Sequence, residues 1–325
     1  MVQSSEIVPP KRTKEEMEEE GDEMSLMKKL GLYGGEVRLV DEGEDSAAEE
    51  MMLLWGLQQP ALSKPNAFVS QSSLHLSLDA CGHSLSILQS PSSLVAFFIS
   101  SLNCLSPPPP PTVSLTFLLL LFFFLSLSLS IILVLQSTPG VTGSVMWDSG
   151  VVLAKFLEHA VDSGLLLLQG KKVVELGSGC GLVGCVATLL GAKVFLTDLP
   201  DRLRLLKKNI EANLRHVDLR GSALAKELTW GDVPDPELVQ PLPHYVLGSD
   251  VIYSEGAVVE LLETLQQLSG SETTIFLAGE LRNDSVLEYF LEAAMKDFVV
   301  GRVGQKQWHP DYCSRRVVMY VMVRK

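Results

Sequence analysis

The chain has 325 residues, 46% of them hydrophobic, enough for one large domain or two ordinary ones with a sizeable core. Its formal net charge is −13, and residues 1–50 hold 15 acids against 6 bases, so about −9 of that charge lies in the first fifty positions. This balance argues against a phosphate-binding surface as the main task, since nucleic-acid affinity rests on Lys and Arg. The five cysteines, odd in number and without a C-x-x-C pair, argue against a disulfide framework or zinc site and point to a reducing, intracellular compartment.

In chain order, the opening "MVQSSEIVPPKRTKEEMEEEGDEM" lacks the apolar core of a secretory signal. Residues 1–65 read as an acidic, mostly disordered region, because no helix there has a face to bury. Residues 66–94 contain "SLHLSLDACGHSLSILQ", which alternates apolar and polar positions on both sides of a glycine turn. Leu74, Leu76 and Leu78, then Leu85, Ile87 and Leu88, predict a half-buried β-hairpin.

Residues 95–136 are an apolar, proline-rich insert that admits three readings. The run at 113–135 exceeds the roughly 20 residues that span a bilayer, so a transmembrane helix is one. Its flanks give little support: between Leu53 and Val113 the only Lys or Arg is Lys64, and none follows before Lys155. A buried core helix is the second, although an apolar run of this length on all sides is unusual in one soluble domain. The third is a translated intron. Residues 117–130 hold only Phe, Leu and Ser, and the five prolines upstream are likewise writable in pyrimidines. Val95 must begin GT, while Leu135 and Gln136 can be read as TTG-CAG, so a pyrimidine tract with intron-like ends lies in frame. On the intron reading, which the sequence favours, the hairpin runs nearly straight into "STPGVTGSVMWDSG" and the protein is soluble and cytoplasmic, with the nucleus open. A genuine segment at 113–135 would instead place it at a membrane.

From residue 137 to 325, strand-like and helix-like segments alternate. "KKVVEL" precedes "GLVGCVATLLG", "AKVFLTD" precedes "DRLRLLKKNIEANLRH", and "YVLGSD" precedes "GAVVELLETLQQLSG". "TTIFLAG" then precedes "NDSVLEYFLEAAMKD", and "FVVGRVGQ" and "RRVVMYVMVRK" close the chain. Continuous apolar strands between amphipathic helices predict an α/β fold with a mostly parallel sheet covered on both faces. The last two strands, with no helix between them, should pair antiparallel.

The chemistry centres on "VVELGSGCGLVG", a strand, a glycine turn and a helix start. Glycines let the backbone approach a ligand, and the helix start offers free N–H groups. "GCGLVG" formally fits a dinucleotide fingerprint, but Glu175 lies in the strand two residues before the first glycine, Gly177. A pyrophosphate gains nothing from that carboxylate, whereas a cationic methionine-derived cofactor does. Asp198 ends the second strand, where a carboxylate can take ribose hydroxyls; capping of the next helix is its alternative role. Trp230 in "LTWGD" and Asp250 and Tyr253 in "LGSDVIYSEG" fall at the same carboxyl edge of the sheet, where open α/β folds bind ligands. Helix capping is likewise an alternative for Asp250, and a core position for Trp230. The six histidines show no ligand spacing, so no metal is expected.

"VMWDSGVVLAKFLE", "VVELGSGCGLVG", "VFLTD", "LTWGD" and "SDVIYSE", in that order over residues 138–325, resemble the seven-β-strand class I methyltransferases. Within them the likeness is to methyltransferase family 16, and most to members that methylate lysines of chaperones and AAA-ATPases; it extends only loosely over residues 74–94. The resemblance implies a Rossmann-like, seven-stranded, mostly parallel sheet with an antiparallel C-terminal hairpin, binding S-adenosylmethionine and methylating a lysine of a protein substrate. It implies that Trp147, Gly177, Ser178 and Gly179 contact the cofactor, with Asp198 on the ribose. Trp230 and Ser249 would border the adenine and methionine portions, although Ser249 replaces the family's usual small apolar residue. Asp250 and Tyr253 would stand beside the incoming lysine. Nucleic-acid-directed relatives carry Asn/Asp-Pro-Pro-aromatic where this chain has Asp-Val-Ile-Tyr, which disfavours base methylation. A small-molecule methyltransferase shares the cofactor motifs, and a nucleotide-dependent oxidoreductase or a membrane-tethered non-catalytic protein is a more distant alternative.

Overall fold

A computed structural model describes residues 27–40, 43, 45–58, 66–91 and 145–325. The acidic opening and the 95–136 insert, with its membrane and intron readings, lie outside the described residues. Among the described residues, no helix is long and apolar enough to cross a membrane.

The centre is a run of five parallel strands: β5 (Lys172–Leu176), β6 (Lys193–Asp198), β7 (Ser222–Glu227), β8 (Tyr245–Ser249) and β9 (Thr274–Glu280). They lie in the spatial order β7-β6-β5-β8-β9. β11 (Val317–Arg324) pairs antiparallel with β9, and β10 (Phe298–Val303) antiparallel with β11, which is the expected C-terminal hairpin. Apart from the edge strand β7, whose residues are exposed or half-buried, the strands read as mostly apolar runs because both faces are covered. Alternate side chains serve different cores: Val173, Val194, Leu196, Leu247, Phe276 and Met319 face one, and Val174, Val246, Ile275, Leu277 and Val318 the other.

The first core is closed by α2 (Asp148–Asp162), α3 (Leu182–Leu189) and α4 (Leu203–Leu214). The hairpin β3 (His75–Ala80) and β4 (His83–Leu88) joins this core as a separate two-stranded sheet. Leu76, Leu78, Leu85 and Ile87 are buried as the alternation predicts, whereas Leu74, just before β3, is exposed. Asn209 of α4 fastens the hairpin: its Oδ1 accepts from the Leu88 N–H at 2.9 Å, and its amide donates to the carbonyls of Leu88 and Cys180. The second core is closed by α6 (Glu255–Leu268) and α7 (Asp284–Ala294), with the short α5 (Pro236–Val239).

Two features depart from the sequence reading. The sheet has nine strands rather than seven, because β1 (Met27–Lys28) and β2 (Val37–Leu39) add to the free edge of β10. The segment expected to be mostly disordered also contains a helix, α1 (Ser46–Gln58), packed on α7. Tyr33 and Val37 are almost fully buried, and buried Glu50 pairs with Arg302 at 2.6 Å and accepts from the Tyr320 hydroxyl. Few apolar residues suffice for this docking because they fill one edge of an existing sheet, and a charge that pairs on burial does not prevent it.

Candidate functional site

A cleft of about 890 Å³ opens at the carboxyl edge of β5, β6, β8 and β9. All ten sequence-predicted site residues line it: Trp147, Glu175, Gly177, Ser178, Gly179, Asp198, Trp230, Ser249, Asp250 and Tyr253. They converge because parallel strands bring all their ends to one edge, and the chain turns there into each helix.

The glycine loop follows β5. Gly177 and Gly179 have φ of +58° and +53°, which side-chain-bearing residues rarely adopt. A Cβ on Gly177 would stand 3.2 Å from both Trp230 Cζ2 and Val251 Cγ1, so a side chain there would press on both. Asp198 braces the loop from β6: its Oδ2 accepts from the Gly179 N–H at 2.6 Å and its Oδ1 from the Leu199 N–H at 2.8 Å. It does not cap α4, where the cap position is Arg202 and no side chain caps. Burial pushes the Asp198 carboxyl up, against the pull of these two N–H groups.

Glu175 is the least settled group in the cleft. It is 1% exposed, its Oε2 has no hydrogen-bond partner, and burial drives its pKa to about 8 despite the nearby Ser178 hydroxyl and Gly184 amide. Burial thus leaves Glu175 protonated near neutral pH, and a cation placed beside it would restore its charged form. A buried acid beside a glycine-rich loop, with a second carboxylate at the next strand end, fits S-adenosylmethionine.

At the other end of the cleft, Asp250 adopts φ +60° immediately after β8. Its N–H bonds to the Ala278 carbonyl at 2.7 Å and its Oδ1 accepts from the Glu280 N–H at 3.0 Å, so β9 holds the strained turn in place. Its Oδ2 pairs with Arg282. Burial raises the Asp250 carboxyl and the Arg282 guanidinium opposes that rise. It caps no helix; Ser254 caps α6. Tyr253 is 49% exposed at the cleft and lies 6.0 Å from the Trp230 ring, centroid to centroid. The Ser249 hydroxyl faces Gly150 of α2, where a Cβ would be 3.5 Å away.

The sequence profile of the lysine methyltransferase family matches residues 128–296. The chain belongs to that family. Similar proteins include protein N-lysine methyltransferase METTL21A of Mus musculus, 42% identical over 161 residues that span 49% of this chain and 70% of that protein. The Danio rerio protein of the same name is 39% identical over 162 residues, again 49% and 70%. EEF1A lysine methyltransferase 3 of Xenopus tropicalis is 32% identical over 181 residues, 56% of this chain and 76% of that one. This lysine methyltransferase is an S-adenosylmethionine-dependent enzyme acting on a protein substrate.

Three groups of the lysine methyltransferase site escape a reading of motifs. Asp148, the partner of Trp147 in the "WD" pair, is fully buried and accepts from the N–H groups of Ala67, Phe68 and Val69, tying the hairpin's approach to the start of α2. Glu280 accepts from the Asp148 N–H at 2.8 Å and pairs with Arg316 at 3.5 Å. Arg282 stacks on Trp147, its guanidinium carbon 4.0 Å from the ring centroid. The available signal was position: "GELRN" closes β9 and leaves it at the edge where ligands bind.

Proposed function

We propose that the cleft holds S-adenosylmethionine along the ends of β5, β6 and β8 and admits the target lysine past Tyr253 to Asp250. The observation that carries this reading is Glu175, buried with an unpaired Oε2 beside a loop whose Gly177 and Gly179 hold positive φ. Trp147, Glu175, Gly177, Ser178 and Gly179 would hold the cofactor, Asp198 its ribose, and Trp230 and Ser249 its adenine and methionine portions. When bound, S-adenosylmethionine supplies a methyl group on a positively charged sulfur, open to in-line attack by a neutral amine.

The chain's own contribution is alignment and dryness, which supply a large share of such a barrier reduction. Asp250 accepts a hydrogen bond from the lysine ε-amine and so fixes the direction of its lone pair. Tyr253 and Trp230 form an aromatic wall that keeps water from the seated amine; the ε-amine loses its proton to bulk water as it enters, because leaving water lowers its pKa.

The substrate we infer is a lysine of a chaperone or AAA-ATPase, from the resemblance of the motifs. The relative named EEF1A lysine methyltransferase 3 makes EEF1A the competing candidate. The compartment we infer is the cytoplasm, with the nucleus open. Residues 137–325 would be the working domain and 95–136 dispensable to it. In support, the chain on either side of the insert meets: the Gln89 Oε1 accepts from the Met146 N–H at 2.7 Å.

The test is a chain lacking residues 95–136, incubated with methyl-labelled S-adenosylmethionine and a lysate of its own source. Labelled proteins are hydrolysed and their amino acids separated. Methyllysine is the expected product, lost with Asp250→Ala and reduced with Tyr253→Ala. Asp250→Ala at the wild-type rate would remove Asp250 from the lysine's path. Absence of label from the shortened chain, with label from the full one, would return residues 95–136 to the working protein.

A further inference from the structure

Asp250 does not stand alone. Its side chain is 5% exposed, and its two oxygens are already engaged, one by the Glu280 N–H and the other by Arg282. Arg282 is itself 35% exposed, lines the cleft, and lays its guanidinium on the face of Trp147. One side chain thus touches both a residue assigned to the cofactor and the residue assigned to the lysine. Stacked on an indole, a guanidinium keeps its edge free for a planar bond to a carboxylate, which a lysine ammonium in its place cannot reproduce.

We propose that Arg282 is the positioning residue of this site, holding Asp250 as an ionised and aimed acceptor for the incoming lysine amine while anchoring it to Trp147. The inference rests on the reading that Asp250 meets the lysine. The surrounding charges leave this task to Arg282. Arg282 pairs directly with Asp250, whereas Arg316 pairs with Glu280 and acts on Asp250 through its charge, and Asp148 accepts from the three N–H groups of residues 67–69. Glu280 presents its backbone N–H to Asp250, but its carboxylate is a further negative charge beside it. Without Arg282, a buried Asp250 would stand beside the Glu280 carboxylate with Arg316 acting on it only through its charge, and protonation would be the less costly state. A protonated Asp250 has lost much of its capacity to accept from the amine.

The experiment compares wild type, Arg282→Met, Arg282→Lys and Asp250→Asn. Carbon-13 spectra of aspartate-labelled protein, with the Asp250 carboxyl assigned by its absence in Asp250→Asn, follow its ionisation with pH and need neither cofactor nor substrate. Initial rates of methyllysine formation in a lysate of the protein's own source are measured from pH 6 to 9, at a concentration of S-adenosylmethionine shown by calorimetry to saturate each variant. In Arg282→Met the Asp250 carboxyl should titrate at higher pH than in wild type. The acid limb of the rate profile should move the same way, with a loss of about tenfold at pH 7 for one hydrogen bond to a charged group and recovery as pH rises. Arg282→Lys should move both partly back. An Asp250 carboxyl that titrates identically in wild type and both Arg282 variants overturns the inference, even where activity falls. Asp250→Asn working at the wild-type rate overturns the underlying reading of Asp250 and this inference with it. Should Arg282→Met make no methyllysine at any pH, the carboxyl titration still decides.

Discussion

Glu175→Gln separates the two demands on the glycine-loop acid, stability and cofactor binding. An ordinary glutamate titrates at 4.5, whereas burial holds Glu175 at about 8. A group whose pKa is raised by folding contributes its full stability below the unfolded value and loses it as pH climbs through the folded one. Between pH 4.5 and 8 the unfolded chain is therefore charged at this residue while the fold retains a proton. Each pH unit in that interval removes about 1.4 kcal/mol, so by pH 7 the loss is about 3 kcal/mol. The amide of Gln keeps the shape of the neutral acid and does not titrate. The gap between Glu175→Gln and wild type should open from about 0.7 kcal/mol at pH 5 to about 3 kcal/mol at pH 7, the latter roughly 6–12 °C in Tm for a domain of this size.

Cofactor reverses the order. S-adenosylhomocysteine, which retains the ammonium of the methionine portion, should bind wild type with release of nearly one proton at pH 7, as Glu175 ionises against it. Binding should tighten as pH rises toward 8. In Glu175→Gln the affinity should be lower and flat with pH. Scanning calorimetry at pH 5, 6, 7 and 8, with titration calorimetry in two buffers of different ionisation enthalpy, reads both effects. A Glu175→Gln chain no more stable than wild type at pH 7, or a gap that does not widen with pH, would refute the reasoning. The site would then be one where Glu175 is satisfied in the fold rather than held in tension for a ligand.

Gly177→Ala should weaken S-adenosylhomocysteine binding tenfold or more by calorimetry, because a Cβ at φ +58° costs about 1–2 kcal/mol and also presses on Trp230 and Val251. Asp198→Ala frees the Gly179 N–H and should lower the same affinity while leaving far-ultraviolet circular dichroism unchanged. Asn209→Ala removes three hydrogen bonds between α4, the hairpin and the glycine loop, leaving buried carbonyls unpaired. It should cost about 2–3 kcal/mol in urea unfolding and speed proteolysis near residues 74–91.

The parallel sheet was legible because its strands are buried on both faces, so "KVVEL" and "TIFLAG" read as unbroken apolar runs between amphipathic helices. The cofactor end of the cleft was legible for a related reason. Strand ends are easy to locate once strands are, and Glu175, Asp198 and Trp230 carry chemistry that a strand end does not otherwise need. What composition concealed were residues whose charge is cancelled by a partner distant in sequence. Glu50 counts toward an acidic tail until Arg302 neutralises it 252 positions later, and α1 then docks where charge counting expects no folded element. The same holds at the lysine end: Asp250 is visible as a strand-end acid, but the Arg282 that fixes its state reads as one more solvated cation in a loop. Periodicity records which side chains leave water, and a pair of opposite charges that leaves water together makes no mark in it. Such pairs hold both the unexpected N-terminal helix and the assigned lysine acceptor, so removing one partner should be worse than replacing both by apolar residues at Glu50–Arg302. At Asp250–Arg282 the double replacement should preserve the fold and still lose the reaction.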